Sequence, residues 1–578
     1  MTLIQKTLAT IAVLALLATG ALATNNSTTT GNKAPDRDWP QWGRDGSRNM
    51  AGEATGIPST FDPGEIGSDG QVDIEETENV LWVAKLGSQT YGNPTIVDGR
   101  IYIGTNNHGR GDKRFKGDHS LLKCLDAKTG ETHWTLTIPK LGSGKVGDWE
   151  LLGICSSPSV IDDRVYVMTN RCEVLALDVH GLKNGNQGDQ DEAQYMAMRG
   201  IQPLPPVELK ETDADIIWRY DMRTELGVYP HNVTSSSTLV VGDIIFAATS
   251  NGVTYDHRGI PAPKAPALIA LDRKHAEEPG ATPETILVGE EGSGLSKQIL
   301  HCNWTSPCYG EVDGKGVVIF GGPDGRVYGF DPNPVKDEDG FGVLPMLWKY
   351  DVNLPGYRFE NGDKNKPIKY ATAEGPSEII STPVFHDGLV YVAIGQDPEH
   401  GEGVGNFACV NAKNGEHVWS YPINRSISTA SIADGLAYVA DYSGWLYCFD
   451  AKTGKLWWKF DTVSPIWGST LVADGKVFLG NEDGMLTVFE TGPTKAIAEE
   501  LGGGVEIEYR RKKLTFTGEN GSEKVLKGKE ASKLFHEIEF GSAIYLSPVV
   551  ADGVLYTGTM THLYAVGRPG AGSDADAR

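Results

Sequence analysis

The chain has 578 residues, 39% hydrophobic and 22% charged, with 71 glycines and a formal net charge of −24. That charge excludes nucleic acid and anionic lipid as general partners, because phosphate binding is driven by clustered Lys and Arg. The composition is that of a globular protein, and the glycine excess suits an all-β chain with many tight turns.

In chain order, the first feature is Lys6 followed by the apolar run 8–17 and the small-residue pattern Ala21-Leu22-Ala23. This predicts a secretory signal over residues 1–23, since the apolar run is short of the ~20 residues needed to span a bilayer. No transmembrane segment is expected elsewhere, and the mature protein is expected to be soluble, periplasmic or extracellular, and monomeric. Residues 24–37 read as a flexible leader, 38–567 as the folded part and 568–578 as a disordered tail. Two locally basic stretches, 109–116 and 509–513, read as solvated loop or hairpin faces.

Seven cysteines in so long a chain do not make a disulfide scaffold. There is no Cys-x-x-Cys and no adjacent Cys pair, which disfavours structural zinc and covalent haem, and no metal ligands are assigned. Cys302 with Cys308, and Cys155 with Cys172, are either bridges or buried thiols.

From residue 95 onward a unit recurs eight times: an apolar strand, a Gly/Asp turn and a second strand, most of them carrying an aromatic, as in "TIVDGRIYIG" around Asp98 and "VVADGVLYTG" around Asp552. Asp-Gly between alternating strands is a strong hairpin signal, because a two-residue turn needs positive φ at both central positions. A second element follows the hairpin, clearest in "CLDAKTGETHW", "CVNAKNGEHVW" and "CFDAKTGKLWW", with Trp134, Trp419 and Trp458 ten residues after Cys124, Cys409 and Cys448. Each unit therefore supplies strands A to D of a four-stranded antiparallel blade. Asp434 and Asp474 are 40 residues apart, the period of a propeller blade. The expected fold is an all-β, eight-bladed β-propeller of four-stranded blades, closed by an N-terminal strand in residues 79–86. Insertions are expected at about 180–215 and 491–540.

This pattern resembles the PQQ-type repeats of quinoprotein dehydrogenases and of the outer-membrane barrel-assembly propeller lipoprotein. The resemblance implies that Trp134, Trp218, Trp348, Trp419 and Trp458 dock neighbouring blades. It also implies PQQ with Ca²⁺ as the candidate cofactor, although the adjacent Cys pair carried by soluble alcohol dehydrogenases of the family is missing.

Alternating loops of a blade share one face, which makes the B-to-C and D-to-A loops the candidate functional side. Just before each strand A stand Asn93, Ser157, Ser237, Ser306, Thr382, Thr429, Ser469 and Ser547, small polar residues suited to converging inner strands. A few residues earlier lie Tyr91, His231, Trp304, Glu378, Arg425, Trp467 and Tyr545, a mixed set that fits a ligand mouth for a flat anionic cofactor or a polar organic ligand. Glu378, Asp397, Glu399 and Asp441 are the carboxylates available to a dehydrogenase, and "DPEHGEG" gathers Asp397, Glu399, His400 and Glu402 without a fixed metal spacing. No catalytic constellation stands out. The reading is therefore an exported binding or scaffold propeller for a protein, peptide or glycan partner, with a PQQ- and calcium-dependent alcohol or polyol dehydrogenase as the alternative.

Overall fold

The Asp-Gly pairs of the repeat adopt the backbone their composition requires. Asp98-Gly99, Asp313-Gly314, Asp387-Gly388, Asp434-Gly435, Asp474-Gly475 and Asp552-Gly553 all have both φ angles positive, as in Asp434 at +51° and Gly435 at +74°. Each joins a short inner strand to the next, for example Leu471–Ala473 to Lys476–Gly480 with Ala473 opposite Lys476.

These strands belong to a computed structural model that describes residues 37–109, 112–278, 281, 287–372, 375–398 and 403–572. The expected signal, nearly all of the leader, the last residues of the tail, and Glu399, His400 and Glu402 lie outside the described residues. No helix among the described residues is long and apolar enough to cross a membrane.

The expectation of an eight-bladed propeller of four-stranded blades is corrected by the strand order. The described strands form eight sheets, but seven blades, not eight, each take four core strands from one continuous stretch of chain. The remaining sheet is a seam between the two ends, in which Val80–Lys85 runs antiparallel to His562–Val566. Two of the seven continuous blades are also wider than four strands. One has six, because Gly342–Leu344 adds in parallel beside Leu287–Glu291. The other has seven, because Val505–Arg510 adds in parallel beside Leu456–Asp461 and brings a further hairpin with it. Both additions cover an outer edge that would otherwise present unpaired backbone groups.

The added hairpin comes from the long connection between Met485–Glu490 and Phe535–Glu539, which also carries the helix Thr491–Glu500. The turn from Val505–Arg510 to Lys513–Thr517 holds the basic stretch, with Arg511 and Lys512 at positive φ.

All seven cysteines are free thiols, six of them buried. The repeat cysteines sit opposite the repeat tryptophans: Cys124 faces Trp134, Cys409 faces Trp419 and Cys448 faces Trp458. The column is small because the indole lies over it. At Gly329, opposite Trp348, an added Cβ would fall 2.3 Å from the ring.

The indoles also reach the next blade. Trp134 donates to the Val179 carbonyl at 2.9 Å, Trp348 to Ala412 at 2.8 Å and Trp419 to Ala451 at 3.0 Å. Trp82 makes the same bond from the seam sheet, to Ala127 at 3.0 Å. Trp218 and Trp458 make no such bond, and Trp458 instead packs on Phe489 of the following blade at 5.0 Å between ring centroids. The turn glycine is thereby fixed twice. Gly454 has φ +70°, and a Cβ there would lie 2.5 Å from Trp419.

A second set of long-range contacts comes from the segment before the first repeat. Trp39 pairs with Ile96, and the Pro40 carbonyl accepts from Val160. Gly46 accepts from Tyr309, Ser47 from Phe385 and Met50 from Val472. Asn49 bonds Ile432 in both directions at 2.8 Å. Arg48, wholly buried, donates to the carbonyls of Pro307, Trp42 and Thr238 at 2.8 Å each. Gly52 closes the series, since a Cβ there would strike Val550. One segment of chain thus touches the inner part of every sheet.

Two substitutions test these restraints. Gly475 has the same backbone as Gly454, φ +69°, but open space around its Cβ position. Gly475→Ala is expected to cost about 1 kcal/mol of left-handed strain, and Gly454→Ala roughly 2 kcal/mol more through its clash with Trp419, read from denaturant unfolding. Arg48→Leu leaves three buried carbonyls without their donor and should cost about 3 kcal/mol or more, read as a lowered unfolding midpoint.

Candidate functional site

The inner strands converge on an axial cavity of about 430 Å³. Its wall is built from the small polar column before each strand A. Backbone N–H groups donate to the side chain of the next blade: Ser157 to Ser237 at 2.9 Å, Ser237 to Ser306 at 2.9 Å, Thr382 to Thr429 at 3.1 Å, and Thr429 to Ser469 at 2.9 Å. Ser469 continues to Ser547 at 2.8 Å, and Ser547 to the Asn93 amide oxygen at 2.5 Å. The hydroxyls of Ser237, Ser306, Thr429, Ser469 and Ser547 each accept a backbone proton and keep their own to donate. All of these residues except Ser157 line the cavity.

Trp42 of the N-terminal segment also lines the cavity, its indole donating to the Thr382 hydroxyl at 3.0 Å. Sequence reasoning placed the start of the fold near this residue but gave it no role. Its partner is 340 positions away, so no local pattern could have found it.

The mouth is aromatic. Tyr91 and Tyr545 stack at 4.9 Å and 19° between planes, and Trp467 meets them edge-on at 6.0 Å and tilted at 5.3 Å. Glu482 holds this cluster, accepting from the Trp467 indole at 3.1 Å and the Tyr545 hydroxyl at 3.2 Å. Burial pushes the Tyr91 and Tyr545 phenols well above their usual range, so both remain neutral donors. Trp304 stands in the lining away from this cluster, its indole donating to the Val233 carbonyl at 2.8 Å. Trp149 completes the aromatic lining, with the Lys145 ammonium 4.1 Å from its ring centre on the other side of the cation–π pair.

Of the seven residues expected at the mouth, Tyr91, Trp304, Trp467 and Tyr545 line the cavity, whereas His231, Glu378 and Arg425 do not. His231 and Glu378 are buried within the wall. Arg425 is also buried, lies over the Tyr442 ring at 4.5 Å and donates to the Pro398 carbonyl at 3.0 Å. Among the carboxylates weighed for chemistry, Asp397 reaches the lining. Asp441 is consumed by structure, accepting from Tyr447 at 2.8 Å and Asn424 at 2.9 Å, and burial raises its pKa.

Known proteins can be set beside this geometry. A model of PQQ repeats, described as outer membrane protein assembly factor BamB, matches residues 68–258 and 403–495. The quinohemoprotein alcohol dehydrogenase ADH IIB of Pseudomonas putida is 29% identical over 129 residues, which are 19% of this chain and 18% of that protein. The chain therefore matches less than a fifth of that relative's length. Among solved structures, BamB from Moraxella catarrhalis is similar with a TM-score of 0.44 and 12% identity, over 84% of this chain and 95% of that one. A quinohemoprotein alcohol dehydrogenase from Comamonas testosteroni gives 0.43 and 14%, over 93% and 81%. With its repeated hairpins and Cys-to-Trp elements lying across the matched residues, the chain carries PQQ-type repeats over 68–258 and 403–495 and is similar there to PQQ-type-repeat β-propellers.

Proposed function

We propose that this protein is an exported binding propeller whose axial cavity holds a neutral, hydroxyl-rich ligand of the kind presented by the end of a glycan. The observation that carries this reading is a ring of hydroxyl donors below an aromatic rim, with no Lys or Arg in the described lining. Flat aromatic faces cover the apolar side of a sugar ring, and fixed hydroxyls pair with its oxygens without any net charge. The export half of the reading rests on the apolar run and small-residue pattern at the N-terminus.

The same lining argues against PQQ. That cofactor carries several carboxylates, and removing them from water requires cations or strong donors to receive them. The described lining offers one charged side chain, Asp397, whose sign is wrong for the cofactor. Arg425 is buried against Pro398 and Tyr442 rather than in the lining. The residues present do not fit the group, and no reaction step is derived through it.

The test is a panel of neutral oligosaccharides titrated against the purified protein, followed by tryptophan fluorescence and calorimetry. A binder is expected, with Trp467→Ala weakening it at least about tenfold through loss of the stacking face. Ser469→Ala is expected to weaken it less and to lower thermal stability, because Thr429 N–H loses its acceptor. Absence of any binder, or binding indifferent to Trp467→Ala, would overturn the reading. So would stoichiometric uptake of PQQ with Ca²⁺ accompanied by dye reduction with an alcohol.

A further inference from the structure

Behind Trp304, outside the cavity, three histidines meet. The rings of His231, His257 and His301 have centroids 4.7 to 5.2 Å apart, and one ligand nitrogen from each lies within 4.8 Å of the other two. His231 and His301 are fully buried, and His257 is half-buried on the loop that follows the strand Ile244–Ala248. The edge of Trp304 closes one side, 5.0 Å from His301 at 89°.

Each of the two buried rings is anchored through Nδ1. His231 Nδ1 is 2.7 Å from the Val253 carbonyl, and His301 Nδ1 is 3.3 Å from Glu378 Oε1. A carbonyl or carboxylate at Nδ1 fixes the tautomer that carries its proton there, which turns the Nε2 lone pair toward the partner rings. Glu378 is itself fully buried, receives the Asp397 N–H at 3.3 Å, and has no hydrogen-bond partner at Oε2. A buried carboxylate needs a compensating positive charge nearby.

The spacing supplies a second argument. Ligand nitrogens bound at 2.0–2.1 Å to a tetrahedral ion stand about 3.3 Å apart. His231 Nε2 and His257 Nε2 are 3.3 Å apart.

We infer that His231, His257 and His301 form a binding site for a divalent transition cation of the zinc class, with Glu378 orienting His301 from behind. Three imidazoles suit zinc, copper, nickel or cobalt and not calcium, which takes oxygen ligands. Three protein ligands leave one tetrahedral position for water or an exogenous group. The site is independent of what the axial cavity binds, since none of the three histidines lines it.

The experiment uses the untagged full-length protein, stripped with chelator and titrated with Zn²⁺ by calorimetry, then with Co²⁺ to read its visible absorption. One equivalent of Zn²⁺ should bind, raise the unfolding temperature, and give the intense Co²⁺ bands of a four-coordinate site. His257→Ala, at the half-buried ligand, should weaken Zn²⁺ by at least tenfold. Glu378→Gln should weaken it by about 10- to 100-fold. His275→Ala, a solvent-side control near Glu278, should leave binding unchanged. Circular dichroism of the metal-free variants separates loss of the site from loss of the fold. Failure of the folded wild type to bind one equivalent, or equal affinity in folded His257→Ala, would overturn the inference.

Discussion

The segment from Trp39 to Gly52 is the restraint on which the rest of the ring depends. Blade-to-blade packing alone is a chain of nearest-neighbour contacts, so its stability is approximately a sum of local terms. Here a single strap bonds or packs against the inner strand region of every sheet, from Ile96 through Val160, Thr238, Tyr309, Phe385, Ile432 and Val472 to Val550. Loosening one blade therefore strains contacts to all the others. Arg48 is the hub, and its cost shows in its protonation: burial pulls the guanidinium down to about 10, still well above neutrality. Three carbonyls receive its N–H groups.

The second restraint acts at the outer half of each blade and explains why the repeat resembles a reactive site. Cys448, Asp450, Thr453, Gly454 and Trp458 crowd into a few residues, yet each has a packing role. Asp450 accepts from the Thr453 N–H at 2.9 Å and its hydroxyl at 2.8 Å to form the turn. Gly454 lies under Trp419 of the preceding blade. Burial drives the Cys448 thiol far above its usual range, so it holds no thiolate to react. Where the column carries Cys, Ala or Gly, the common property is size beneath an indole.

Local periodicity made the blades legible, because hairpin turns and the Cys-to-Trp spacing are written within 40 residues. The aromatic mouth was half legible for the same reason: Tyr91, Trp304, Trp467 and Tyr545 occupy an alignment column that the inner strands carry to the axis. His231, Glu378 and Arg425 share that column approximately, but each turns into the wall, where a buried partner outweighs solvent. Arg425 finds Tyr442, and Glu378 finds His301. The widened blades were not legible, since parallel pairing of Val505 beside Trp458 joins an insertion to the edge of a different repeat unit. Nor was the histidine cluster, whose members are spaced 26 and 44 residues apart, far beyond any short metal motif.

The wall and rim of the cavity differ in how freely they can change. The hydroxyls of Ser237, Ser306, Thr429, Ser469 and Ser547 each already accept a backbone N–H, so replacing one with an apolar residue orphans a buried donor in the preceding blade. The wall is therefore constrained by folding before any ligand is considered, and it presents much the same ring of O–H groups to whatever enters. The rim carries no such obligation: the ring faces of Tyr91, Trp467 and Tyr545 are held by one another and by Glu482, not by the ladder of the inner strands. On the proposed reading, discrimination among hydroxyl-rich ligands resides at the rim, and a change of ligand is reached by altering those aromatics while the hydroxyl ring stays fixed.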